Sequence, residues 1–202
     1  MAGPVAEMCH WAPSKQESIM RYMRIGTSLL LALVFAPGTV RAQVESGPSA
    51  GSKVEVLKAV AVTGDAAGKE VDYAAQRKGK PTIFVFVQAD KWDRPVARFL
   101  RALDQALAKD RNDVHIIAVW LTDDVAKSKE YLPKAEEALK LSQTMFAVYP
   151  GDKSGPAGWA INADAHLTAV VAQDQKVTAS FGFRSVNETD APSVFKKLKP
   201  NK

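Results

Sequence analysis

The stretch that decides the fold is residues 82–107, TIFVFVQADKWDRPVARFLRALDQAL. Residues 82–87 are apolar without interruption and rich in β-branched and aromatic side chains, which is typical of a strand buried on both faces. After a loop, Pro95 suits the first turn of a helix, and Asp93 stands near its capping position. We therefore predict a strand, a loop and an amphipathic helix. The apolar face of that helix would be Val96, Phe99, Leu100, Leu103 and Leu107, and its polar face Arg98, Arg101, Asp104 and Lys109.

The sequence after this helix predicts a second buried strand over residues 114–121, VHIIAVWL. A strand, a helix and another apolar strand favour parallel pairing with a right-handed crossover. Residues 125–141 predict a second helix, in which Pro133 is expected to introduce a kink or to start a second piece. A third apolar run follows over residues 144–149.

The flanking segments extend this unit in both directions. Residues 54–62 alternate loosely and predict an edge strand, whereas residues 167–172 and 176–183 predict a β-hairpin. Pro192 begins a final amphipathic run, with Asp190 as its candidate cap. Together the elements predict an α/β fold in which a mixed β-sheet lies between helices on both faces.

The start of the chain carries an export pattern. Arg21 and Arg24 precede the apolar residues 25–37, and small or aliphatic residues stand at the first and last of positions 40–42. This is the order of a secretory signal peptide, and the apolar core is shorter than the ~20 residues of a bilayer span. We therefore predict a signal peptide over residues 1–42 and an extracytoplasmic product, periplasmic or secreted, without stable membrane insertion. An uncleaved anchor is the weaker alternative, because the flank after the core is polar.

The remaining boundaries follow from this pattern. Residues 1–19 precede the basic region of the signal, so we interpret them as an over-extended start, with translation beginning at Met20 or Met23. Residues 43–53 are rich in Gly, Ser and Pro and predict a flexible leader. Residues 54–202 then form the folded domain.

Charge and cysteine content exclude two classes of function. The net charge is +5 and the isoelectric point about 9.3, but basic residues alternate with acids, as in residues 127–130, KSKE. Such alternation is typical of solvated helix faces, so we expect no nucleic-acid partner. Cys9 is the only cysteine and lies upstream of the signal core. The exported domain would therefore have neither a disulfide nor a thiol.

The loop after the first buried strand carries a resemblance to a known family. This strand, the loop and the helix that follows resemble those of the thioredoxin superfamily, in particular its exported thiol-reductase and peroxiredoxin branches. The resemblance covers residues 54–199. The pentapeptide Trp92-Asp93-Arg94-Pro95-Val96 is similar to the family's Trp-Cys-Gly-Pro-Cys, with Asp93 and Val96 in place of the two cysteines. Thiol–disulfide exchange needs a thiolate and a second sulfur. The resemblance therefore implies a redox-inactive member without thiol oxidoreductase or peroxidase activity.

A second departure concerns the segment before the hairpin. The family has a cis-proline there, facing the cysteines, that helps to hold substrate peptides. Residues 162–167, NADAHL, contain no proline, and Pro156 lies far upstream. The resemblance therefore implies a weakened substrate site.

Polar and aromatic side chains are expected to gather at the carboxyl ends of the strands, where open α/β sheets bind ligands. The candidate ligand or partner surface consists of Asp90, Trp92, Asp93, Arg94, Pro95, Asp123 and His166. The carboxylates and the histidine, together with Asp124 and Asp164, could bind a divalent metal or perform acid–base chemistry. Their spacing fits no compact ligand motif, so helix caps and loop residues are the alternative. Trp92, Trp120 and Trp159 could line a pocket or pack in the core.

These observations predict an exported, redox-inactive thioredoxin-like protein that acts as a binding or scaffold module for an unidentified protein partner. It would have no catalytic residue, no cofactor and no metal. The alternative is a metal-binding protein or acid–base enzyme that uses the carboxylate–His cluster at the former active-site end.

Overall fold

One mixed sheet of eight strands organises the computed structural model, which describes residues 43–200. The strand order is β1-β8-β7-β4-β5-β6-β2-β3. The strands are β1 (Gln43–Val44), β2 (Lys58–Ala61), β3 (Glu70–Asp72), β4 (Thr82–Gln88), β5 (His115–Thr122), β6 (Thr144–Pro150), β7 (Leu167–Gln173) and β8 (Lys176–Phe183). The helices are α1 (Tyr73–Arg77), α2 (Arg94–Asp110), α3 (Val125–Leu139) and α4 (Ala191–Phe195), with 3₁₀ turns at Ala89–Lys91 and Glu188–Asp190.

The centre of the sheet is the predicted strand–helix–strand unit. Strands β4, β5 and β6 pair in parallel, and β7 pairs antiparallel with β4 on the other side. Every residue of β4 is buried, as its uninterrupted apolar sequence predicts. The prediction of an α/β fold with a mixed sheet is therefore confirmed.

The two faces of the sheet form two cores. On one face Ile83, Val85 and Val87 pack with apolar side chains of α2, α3 and α4. On the other face Phe84 and Phe86 belong to a core covered by α1 and by irregular chain. Alternate residues of β4 thus supply both cores, which explains why the strand carries no polar face.

Helix α2 begins as the sequence predicts but differs on its polar face. The Asp93 side chain accepts a hydrogen bond from the Val96 amide at 2.9 Å, and Pro95 lies in the first turn. Asp104, predicted to face solvent, is only 1% exposed. Its carboxylate accepts hydrogen bonds from the backbone N–H groups of Ser142 and Gln143. The prediction for Asp104 is therefore wrong, because this side of the helix contacts the loop between α3 and β6.

Three further elements differ from the sequence expectations. Strand β2 is not an edge strand, because it pairs with both β3 and β6. Helix α3 continues through the exposed Pro133, so no second piece begins there. Helix α4 is short, and the Asp190 carboxylate instead accepts a hydrogen bond from the Asn187 amide, in a capping box of the preceding 3₁₀ turn.

Residues 43–53, predicted as a flexible leader, pack on the sheet. Strand β1 pairs with β8, and the buried Ser46 hydroxyl lies 2.7 Å from the Thr168 hydroxyl. The Gly47 amide donates to the Ala160 carbonyl at 2.9 Å. Gly47 has a φ of +93°, and a Cβ there would lie 2.7 Å from the Ser180 Cβ. Glycine thus permits the close backbone approach that composition alone associates with flexibility.

The predicted signal peptide, residues 1–42, lies outside the described residues. None of the helices in residues 43–200 is both long enough and apolar enough to cross a membrane.

Candidate functional site

A cleft of about 450 Å³ opens at the carboxyl ends of the parallel strands. Its walls come from the 3₁₀ turn after β4, the end of β5, the first half of α3 and the loop after β6. This is the edge of the sheet at which α/β folds commonly bind ligands. We call it the aromatic cleft, after Trp92, Trp120 and Tyr131 in its wall.

The three aromatic rings contact one another in series. The ring centroids of Trp92 and Trp120 lie 4.7 Å apart, and those of Trp120 and Tyr131 lie 6.5 Å apart. Trp92 also donates a hydrogen bond from its indole Nε1 to the Tyr131 hydroxyl at 2.8 Å. Trp120 is buried against the sheet, whereas Tyr131 is 43% exposed. The three side chains together form one aromatic wall of the cleft, in which Trp120 is buried and Tyr131 is exposed to solvent.

An ion pair closes the opposite side of the cleft. Lys153 Nζ lies 2.7 Å from a carboxylate oxygen of Asp90, and Lys91 lies at 3.8 Å from the same oxygen. The hydrogen bond from Lys153 lowers the pKa of Asp90, and the same contact raises the pKa of Lys153. The Gln88 side-chain amide also donates to the Lys153 carbonyl at 2.6 Å. These contacts join the loop after β6 to the end of β4.

The structure brings three of the predicted site residues into the aromatic cleft: Asp90, Trp92 and Asp123. The other four lie outside its lining. Arg94 and Pro95 are exposed in the first turn of α2, next to its cap. His166 precedes β7. Its backbone N–H donates to the Phe183 carbonyl, and its carbonyl accepts a hydrogen bond from the backbone N–H of Gln88.

The predicted carboxylate–His cluster is not assembled. Within residues 43–200 no three His, Cys, Asp or Glu side chains lie close enough together to hold a metal ion. The acids instead have local partners. Asp93 caps α2, Asp124 caps α3 through the Lys127 amide, and Asp164 pairs with Arg184 at 3.2 Å. Their positions fit the alternative that these residues are caps and loop residues.

The two residues that the sequence resemblance compares with cysteines have structural roles. Asp93 serves as the N-cap of α2, and Val96 is 2% exposed in the core beneath the helix. In the part of the chain from residue 43 to residue 200 every peptide bond is trans, including those before β7. Among residues 43–200, this edge of the sheet therefore has neither a cysteine pair nor a cis-proline.

Two side chains with specific contacts in the cleft, Tyr131 and Lys153, are not among the sequence candidates. Tyr131 lies in α3. The helical spacing of the buried residues indicates only approximately which side of the helix Tyr131 occupies. Lys153 lies in the loop after β6, and no local pattern predicts its contact with Asp90, 63 residues earlier. Trp92 and Trp120 were considered as pocket residues, and both line the cleft.

No protein-family model and no curated protein matches the sequence. Solved structures are similar to it in fold. A DsbF homologue from Corynebacterium diphtheriae superimposes with a TM-score of 0.54 at 16% identity, covering 81% of this chain and 96% of its own. A secreted thiol-disulfide isomerase from Corynebacterium glutamicum has a TM-score of 0.54 at 12% identity. The match covers 79% of this chain and 93% of the isomerase. A peroxiredoxin-like protein from Aquifex aeolicus has a TM-score of 0.51 at 12% identity. The match covers 77% of this chain and 91% of that protein.

At these identities the similarity establishes the fold. The chain has a thioredoxin-like α/β fold, and residues 43–202 contain no cysteine, since the only one is Cys9. The sequence-based expectation of a thioredoxin-like fold is confirmed.

Proposed function

We propose that this protein is an exported, redox-inactive thioredoxin-like binding module whose contact surface is the aromatic cleft. One observation carries the proposal. The edge of the sheet that resembles a thiol site has an aromatic wall of Trp92, Trp120 and Tyr131, with Tyr131 exposed to solvent. Asp93 and Val96 stand where the sequence resemblance places the two cysteines. A contact surface is thus present where the sulfur chemistry is missing.

The composition of the aromatic cleft favours a protein partner. Tyrosine and tryptophan are enriched among the residues that contribute most to protein–protein binding, because they combine a large apolar ring with a polar group. Charges of both signs surround the rings: Asp123 and Asp90 lie near Lys127 and Lys153. Such a balanced rim suits the mixed polar groups of a peptide chain better than a polyanion, which would require a continuous basic surface.

The rigidity of the wall also supports a binding role. Trp120 packs on the Phe146 ring at 6.1 Å between centroids, and Trp92 is held by its hydrogen bond to Tyr131. A surface that is already ordered loses less conformational entropy when a partner binds.

Export is part of the proposal. Its support is the order of basic, apolar and cleavage-site residues within residues 1–42, together with the thioredoxin-like fold of the secreted isomerase described above. Cell fractionation followed by N-terminal sequencing tests it, and we expect the exported protein to begin at Gln43. Recovery of an intact residue 1–42 segment on a cytoplasmic protein would contradict export.

Two experiments test the function itself. An insulin-reduction assay should give no turnover above background, because the domain has no thiolate; robust turnover would overturn the proposal. For the binding role, a photo-crosslinking amino acid replaces Tyr131 in the cleft, or Lys109 on the exposed side of α2 as the control. We expect a discrete protein adduct from position 131 only, and we expect Trp92→Ala to abolish it. Equal adducts from both positions would exclude the aromatic cleft as the contact surface.

A further inference from the structure

A second pocket, of about 330 Å³, lies at the other end of β4. Its walls come from the segment before β2, from α1 and the turn that follows it, from the start of β4 and from the end of β7. We call it the basic pocket and define it by Lys53, Val56, Arg77, Lys78, Lys80 and Phe84.

The positive charge of the basic pocket is only partly compensated by carboxylates. Asp72 is its only acidic lining residue, and this carboxylate accepts hydrogen bonds from three backbone amides, those of Leu57, Ala74 and Ala75. In the chain between residues 43 and 200, Lys53, Lys78 and Lys80 form no ion pair with a carboxylate. Four cationic residues therefore line the space with one carboxylate among the lining residues. The Asp113 carboxylate, outside the lining, interacts with Arg77 alone of these four.

One of these cations is fixed in place. Arg77 donates from Nε to the Thr82 hydroxyl at 2.9 Å and from Nη2 to the Pro81 carbonyl at 3.1 Å. The nearby His115 responds to the same charges. Partial burial lowers its pKa, the positive charges of Arg77 and Lys80 lower it further, and the negative charge of Asp113 opposes them. The cationic residues that line the pocket favour a negatively charged ligand.

The floor of the basic pocket is apolar. Phe84 is buried, and its ring meets Trp159 at 5.0 Å between centroids. Val56 is 56% exposed at the rim. Among the residues from 43 to 200, Val56 and Tyr131 are the two large apolar side chains that are exposed, and Tyr131 lies in the aromatic cleft. An apolar floor beneath unpaired cations complements a ligand that has both an apolar body and a negative charge.

We propose that the basic pocket binds a small organic acid, with its carboxylate among Lys53, Lys78 and Lys80 and its apolar body on Val56 and Phe84. The volume is at the lower end of the range for ligand pockets, about 300–1,000 Å³. It therefore suits an acid of one or two fused rings, or a short branched chain, and excludes a dinucleotide. The site does not overlap the aromatic cleft, so it is independent of the proposed partner-binding function.

The test uses three probes on the purified protein. They are 2-naphthoate, its uncharged amide 2-naphthamide, and inorganic phosphate, each followed by calorimetry and by backbone amide NMR. We expect 2-naphthoate to bind with a one-to-one stoichiometry and to shift amides around Arg77, Gly79 and Phe84. The amide should bind at least several-fold more weakly, and phosphate at the same concentration should not displace the naphthoate. Raising the salt concentration should weaken the binding, because the charges are exposed.

Variants locate the site. The double variant Lys53→Gln/Lys80→Gln should weaken naphthoate binding by about threefold to tenfold, the effect expected of two exposed charge contacts. Lys196→Gln removes an exposed lysine elsewhere and should leave the affinity unchanged. Val56→Ser keeps every charge. It should weaken naphthoate binding, because it removes an apolar contact with the rings of the ligand. Thermal unfolding of each variant checks that the fold is retained.

Three results would overturn the proposal: equal binding of naphthoate and its amide, displacement of naphthoate by phosphate, or an equal loss of affinity in Lys196→Gln. If the double variant fails to fold, Val56→Ser and the amide comparison still decide between a specific site and none.

Discussion

Replacement of Asp104 by alanine tests the buried contact that joins α2 to the sheet. The carboxylate is held by the Ser142 amide at 3.1 and 3.2 Å, the Gln143 amide at 2.9 Å and the Thr144 hydroxyl at 2.7 Å. Asp104→Ala removes all of these acceptors at once. Two backbone N–H groups and the hydroxyls of Ser142 and Thr144 then lose this acceptor.

The size of the effect follows from these donors. A buried donor left without a partner costs about 1–3 kcal/mol, and water can reach part of this loop because Ser142 is exposed. We therefore expect Asp104→Ala to lower the free energy of unfolding by about 3–5 kcal/mol. For a domain of this length that corresponds to a fall in Tm of about 6–20 °C. Asp104→Asn keeps one acceptor oxygen and should lose about half as much.

Urea unfolding followed by circular dichroism measures the change. Asp110→Ala is the matched control, because it makes the same substitution on the same helix at an exposed position. It should change the free energy of unfolding by less than about 0.5 kcal/mol. If Asp104→Ala behaves like Asp110→Ala, the carboxylate does not stabilise the loop and the reasoning is refuted.

Four further predictions concern the cap, the former thiol positions, a histidine and a glycine. Asp93→Ala should lose about 1 kcal/mol of stability in urea unfolding while Asp93→Ser loses little, because serine also caps helices; equal losses would contradict the cap. Asp93→Cys/Val96→Cys should form a reversible disulfide on mild oxidation, measured by thiol titration; two persistently free thiols would show that the positions do not correspond. The pKa of His115 is lowered in the folded protein, so stability should fall as the pH drops below about 6.5, and His115→Gln should reduce this dependence in unfolding measured across pH. Gly47→Ala should lower the Tm, because it adds a Cβ 2.7 Å from that of Ser180 at a positive φ; an unchanged Tm would contradict the close packing.

The central part of the fold was readable from sequence because its signals are redundant. Residues 82–107 combine an uninterrupted apolar strand, a cap, a proline in the first turn and a helical repeat, and each indicates the same structure. The strand–helix–strand order then limits the topology to parallel pairing with a right-handed crossover. The outer segments lack this redundancy. Lys58–Ala61 is only four residues long, and its sequence does not specify how many neighbours it has.

The errors in the prediction concern residues whose partners are distant in sequence. Asp104 follows the polar phase of α2, but its partners lie 38 to 40 residues later in a loop that helical periodicity does not describe. Gly47 belongs to a composition typical of a flexible linker, but it contacts Ala160 and Ser180. A local pattern gives the preference of a segment, whereas tertiary contacts decide whether that preference is realised.

The candidate site divides in the same way. Trp92 and Asp90 follow β4 directly, so the carboxyl-end rule places them in the cleft. Tyr131 and Lys153 reach the cleft only because α3 packs against β6 and because the loop after β6 turns back toward β4. Strand ends are determined by local sequence, but the residues that complete a pocket depend on how the elements pack.

The two proposed sites lie at opposite ends of one buried strand. Strand β4 has seven residues, so the aromatic cleft and the basic pocket are separated by about 20 Å along it. Phe84 belongs to the floor of the basic pocket, whereas the cleft begins at Ala89, beyond the end of the strand. A small ligand at one end therefore has no direct contact with the other. Any effect of an organic acid on partner binding must pass through β4 or through the core around Trp159, which packs on Phe84 and Phe86. Because no residue lines both pockets and about 20 Å of strand separates them, we expect the two binding events to be thermodynamically independent.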